Sequence, residues 1–82
     1  MKHEEPQPRA LEVALAKQIT IEMVEHDMSQ ADLAEAINVS RGAMNRYLNN
    51  RASLAYGQII DIAAAFNLDA SELIARAETR LH

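Results

Sequence analysis

With 82 residues, 49% of them hydrophobic but only three aromatic, the chain has material for one small domain with a thin core. It contains no cysteine, which excludes a disulfide framework, a thiolate nucleophile and a cysteine zinc site. The formal net charge of −4 argues against a general nucleic-acid coat and makes the placement of the positive residues decisive.

Residues 1–7 (MKHEEPQ) read as a flexible arm ahead of a single domain over 8–82. The N-terminus lacks the apolar stretch of a signal peptide, and no run approaches membrane-spanning length, so a cytoplasmic protein without membrane contact is expected. A first helix is predicted over Pro8–His26. Pro8 suits a first-turn position, and Leu11, Leu15, Ile19 and Met23 recur every four residues.

The next stretch, MSQADLAEAINVSRGAMNRYLNN over residues 28–50, predicts two short helices joined by a tight turn. Ser29 with Asp32 three residues on forms a capping-box start for helix two, Gln30–Ile37, whose apolar stripe is Leu33, Ala34 and Ile37. Asn38 stops it, being tolerant of a left-handed backbone, and Val39 plugs the turn. Ser40 caps helix three, Arg41–Asn49, with Met44 and Leu48 turned inward. The outer face then holds Arg41, Gly42, Asn45, Arg46 and Asn49, which have little use for a core and obvious use for base edges and phosphates.

Charge placement agrees. Residues 36–60 contain no acid but three arginines, Arg41, Arg46 and Arg51, so positive charge is concentrated in and just after the third helix. Salt screening over roughly 10 Å lets such a local patch act while distant acids are muted. Beyond it, Ser53 is a candidate cap for a fourth helix that runs to Phe66 and carries Ile59, Ile60, Ile62 and Ala63. After the Asn67-Leu68 turn, Asp69 and Glu72 mark the start of a fifth helix, Ala70–Leu81. Its apolar stripe, Leu73, Ile74, Ala77 and Leu81, is expected either to complete the core or to form a weak dimer face.

Residues 19–74 resemble the lambda-repressor-like, Cro/C1-type (XRE) helix–turn–helix family, with the phage-repressor branch suggested by residues 49–56. The resemblance rests on Ser29-Gln30, Leu33-Ala34, Val39-Ser40, Met44, the run from Ile59 to Phe66, Leu68 and Glu72-Leu73. It implies an all-α, compact five-helix bundle that binds palindromic operators as a dimer through the major groove of double-stranded DNA. It further implies that Gln30 touches a phosphate and braces the first residue of the recognition helix. Arg41, Gly42, Asn45 and Arg46 occupy base-contacting positions, and Arg51 lies along the backbone. This chain departs from the family in having Asn38 at the usual turn glycine, and Leu48 and Asn50 late in the third helix.

Other readings of these residues are plainer. Ser29 and Ser40 are caps first and phosphate contacts second, and no serine has a histidine placed to activate it. His3, His26 and His82 share no helical spacing, so neither a metal site nor a cofactor is expected. Arg76 and Arg80 fit a solvated face or intrahelical support for Glu72 and Glu78. The expectation is a non-enzymatic, sequence-specific repressor acting by operator occupancy. The alternatives are an antitoxin-like autoregulator and an interaction module that kept the fold without binding DNA.

Overall fold

The computed structural model describes residues 8–81: five α-helices and a terminal 3-10 turn, with no strand among the described residues. The helices are α1 (Pro8–Glu25), α2 (Gln30–Ala36), α3 (Arg41–Leu48), α4 (Tyr56–Ala65) and α5 (Ala70–Glu78), followed by the turn Thr79–Leu81. The expected all-α bundle is what forms, with helix ends within about one residue of the sequence reading except at the start of α4, which comes two residues later than a Ser53 cap would place it, and at the last helix, which tightens for its final turn. The arm over residues 1–7 and His82 lie outside the described residues.

The core takes one stripe from each helix. Leu15, Ile19 and Met23 of α1 meet Leu33 and Ala34 of α2, Met44 of α3, Ile62 and Ala63 of α4, and Leu73 and Ala77 of α5. Phe66 is 1% exposed at the end of α4 and is the one aromatic ring fully inside. Each of the buried Leu, Ile, Met and Phe side chains contributes roughly 1.5–3 kcal/mol by leaving water, and the alanines less. The fifth-helix stripe divides accordingly. Leu73 and Ala77 are fully buried within the chain, whereas Leu81 is 42% exposed.

One device ends the first four helices. Asp27, Asn38, Asn50 and Asn67 each follow a helix with φ between 55° and 62°. In each case the next amide reaches back to a carbonyl of the final turn: Met28 to Met23 at 2.8 Å, Val39 to Ala34 at 2.9 Å, Arg51 to Arg46 at 2.8 Å and Leu68 to Ala63 at 2.8 Å. This is the Schellman closure, normally built on glycine and here built on short polar side chains that tolerate the left-handed region. Met28, Val39 and Leu68 drop onto the core after the turn. Arg51 does not; it is exposed.

The helix starts are less uniform. Ser53 does not cap α4; its hydroxyl donates to Glu12 Oε2 at 3.2 Å. Ala55 is the cap residue instead, and with no side-chain acceptor there, Gln58 reaches back to accept its amide at 2.9 Å. The signal was half present in the sequence, since Gln58 stands three residues after the cap but the usual hydroxyl is missing.

Arg76 and Arg80 are exposed, as a solvated face requires, but both also reach across to α1. Glu22 of α1 is only 2% exposed, and its Oε2 accepts from Arg76 Nη1 at 2.7 Å and Gln18 Nε2 at 2.8 Å. Arg80 Nε donates in turn to Gln18 Oε1 at 2.8 Å. These contacts latch the C-terminal helix across α1. His26 caps α1, its Nδ1 2.9 Å from the Glu22 carbonyl and its ring 5.2 Å from that of Phe66.

Burial pushes the Glu22 carboxyl up, but the hydrogen bonds from Arg76 and Gln18 outweigh it and hold it below the ordinary glutamate range. A depressed folded-state pKa adds stability above the unfolded value and loses it as pH falls through the folded one. Stability is therefore expected to fall below about pH 4.5. Denaturant unfolding at several pH values should show Glu22→Gln losing part of that acid dependence. An unchanged pH profile would show that the latch does not carry it.

Candidate nucleic-acid interface

The pair α2–α3 is assembled from local signals. Ser29 Oγ accepts the Asp32 amide at 3.0 Å while Asp32 Oδ2 accepts the Ser29 amide at 2.9 Å, closing the capping box. Hydrogen bonding from the Ser29 backbone and then its hydroxyl lowers the Asp32 pKa, so this acid stays ionised at the helix start. Ser40 Oγ accepts the Ala43 amide at 3.0 Å and starts α3 in the same way. Between them Asn38, at φ 61°, turns the chain and Val39 packs against the core.

Met44, with no exposed surface, pins α3 to the body. Leu48 is only half-buried and packs at the core's edge. Arg41, Gly42, Asn45, Arg46 and Asn49 are all exposed, so the five residues expected on the outer face share it. None of Arg41, Arg46 and Arg51 is ion-paired with a described residue. Asn49 is the C-cap residue of α3 rather than its last residue, and its Nδ2 donates to the Asn45 carbonyl at 2.8 Å.

Gln30, the first residue of α2, meets α3 one turn later than the family resemblance implies. Its Oε1 accepts from Asn45 Nδ2 at 3.4 Å, a long contact that ties the two helices, and no bond to Arg41 forms. Two supports were not visible in the sequence. Gln58 Nε2 donates to the Tyr47 hydroxyl at 3.0 Å, joining α3 to the start of α4. Arg9 Nη2 donates to the Asn50 carbonyl at 3.2 Å, fixing the end of α3 from α1. Both join different helices, 11 and 41 residues apart in sequence, and neither residue type at its position distinguishes such a contact from solvation.

Glycine at position 42 answers to nothing inside the protein. A methyl group built there finds its nearest neighbours, Arg46 Nη1 and Ser40 Oγ, at 3.9 Å, and the backbone is not left-handed.

A family model described as helix-turn-helix matches residues 19–73, and the chain belongs to that XRE-type family. Among solved structures, it is similar to the clp gene regulator ClgR from Corynebacterium glutamicum, with a TM-score of 0.81 at 19% identity over 94% of this chain and 79% of that one. A second ClgR structure gives 0.77 at 20% identity, covering 95% and 96%. The hypothetical transcription factor NHTF from Neisseria gives 0.78 at 26% identity, covering 99% of this chain and 93% of that one. A comparison with curated proteins found no match. No described helix is long and apolar enough to cross a membrane.

Proposed function

We propose that this chain is a sequence-specific DNA-binding transcription regulator that represses by occupying its operator, in the cytoplasm. The observation that carries the reading is the outer face of α3, which is exposed, acid-free and furnished with arginine and asparagine on a helix pinned from behind by Met44. In this reading α3 enters the major groove, and Arg41, Gly42, Asn45, Arg46 and Asn49 face the base edges. Ser29, Gln30, Ser40 and Arg51 meet phosphates, the serines through the helix starts they cap. The similar structures, two of one regulator of clp genes and one of a hypothetical transcription factor, support the regulatory half of the reading.

Gly42 adds support. Glycine in a helix costs roughly 0.5–1 kcal/mol relative to alanine, so its place on a helix with room for a methyl points to a surface that approaches from outside. Gly42→Ala is expected to leave the unfolding midpoint unchanged or raised while weakening DNA binding. A variant that binds DNA as well as the parent protein would remove Gly42 from the interface.

The test of the reading is a mobility shift with random duplex DNA, followed by salt titration and selection of bound genomic fragments. With only three arginines at the duplex surface, beside a few helix-start amides, the affinity should fall with a shallow salt dependence of about three to four ions per protomer. No shift at low salt would overturn the reading, and a much steeper slope would place further surface on the duplex. A palindromic selected site would match a dimer on DNA. With Leu73 and Ala77 inside the core, only Ile74 and Leu81 of the expected stripe remain for contact between copies, so any dimer should form on the operator and not in free solution.

A further inference from the structure

α1 is apolar on two sides. Its buried side carries Leu15, Ile19 and Met23, as a surface helix should. Counted at 100° per residue, Val13, Lys17, Ile21 and Val24 fall together on the opposite side. Val24 is 77% exposed, the highest value among the large hydrophobic residues of the described chain. Thr20 is exposed on that face, with its hydroxyl turned back to the Ala16 carbonyl at 3.0 Å. Leu48 at the end of α3 and Arg80 of the terminal turn close the side of this face into a groove along Val13, Lys17, Thr20 and Ile21. Val24 continues the face beyond the groove, beside Asp27 and Asp32, and Val13 and Ile21 are the half-buried apolar side chains inside it.

We propose that this groove is a docking site for an acidic amphipathic helix of a partner protein, separate from the DNA-reading face. Charge argues for that occupant. The described residues lining the groove include Lys17 and Arg80 but no carboxylate, although the chain as a whole is acidic. A second copy of this chain is disfavoured, because a two-fold contact through one patch would set lysine and arginine against themselves. A helix with apolar residues at i, i+3 or i+4 and i+7 fills the stripe, and acids along its flanks meet the two cations. The outward face of α3, with Arg41 and Arg46, lines no part of this groove.

The experiment is a display selection against the full chain. The library is of helical peptides with a fixed apolar stripe and flanks varied among Glu, Ser and Lys. Glutamate should be enriched at the flanks, and Ile21→Asp, at a groove residue outside the core cluster, should weaken the selected peptides at least about tenfold while the protein stays folded. Lys17→Glu should turn the selection toward lysine, a reversal that loss of packing alone would not produce. A library yielding no binder, flanks without preference, or binders indifferent to Ile21→Asp and mapping to the exposed pair Tyr56 and Ile60, would overturn the proposal. So would a free dimer that Ile21→Asp dissociates, since the groove would then belong to a second copy. Binding of random duplex DNA is read separately, so a failure here leaves the DNA-binding reading as it stands.

Discussion

Met44→Ala is expected to destabilise the protein by about 2–5 kcal/mol, the cost of an emptied core position whose surroundings relax only in part. Met44 has no exposed surface and belongs to the same buried cluster as Leu33, Ala34 and Ile37. It is also the single fully buried residue of α3, an element of eight residues too short to persist alone. Small domains are held by roughly 5–15 kcal/mol in all, so the loss should bring the melting temperature down by more than about 10 °C. Met44→Leu, which nearly conserves volume, should cost under about 1.5 kcal/mol. Thermal unfolding checks both. If the alanine variant melted with the parent protein, Met44 would not be what anchors the reading helix.

Arg41→Ala should leave the melting temperature alone and act on binding. Arg41 opens α3, is exposed, and has no ionic partner among the described residues, so its guanidinium fork is free to take up a guanine edge. Removing it is expected to cost about 1–3 kcal/mol, roughly 5- to 150-fold in affinity, and to relax preference at one operator position. Arg51→Ala provides the contrast. It follows the third helix closure at a position where Met28, Val39 and Leu68 serve the core in the other three closures, yet it stands exposed. Its loss should weaken all sequences about equally and reduce the salt slope by about one. Competition assays with operator variants separate the outcomes. Two mutants altering specificity at the same position would refute this division of roles.

Helix boundaries and the outward set of α3 were legible in the chain because their causes are local. A serine with an acid three residues on, an asparagine after the last apolar position, and a 3.6-residue stripe act within one or two turns. Ser29, Asn38, Ser40 and Met44 all behave in the structure as those rules require. Ser53 and Ala55 show where the rules fail. A hydroxyl in range predicted the cap of α4, but Glu12 of α1 takes that hydroxyl and the backbone turns two residues later.

Long-range polar contacts were decided by packing alone. Arg76 has Glu72 four residues before it on its own helix, and that spacing predicted a local pair. Docking α5 against α1 places Glu22 and Gln18 within reach instead, in a buried setting where an unpaired carboxylate is costly and a cross-helix bond is retained. The same docking buries Leu73 and Ala77 and exposes Leu81, which divides a stripe that is continuous in the sequence. Periodicity determines that a helix has an apolar face. Which part of that face meets its own core, and which is left for something else, depends on where the neighbouring helices end, and that is a property of the folded chain.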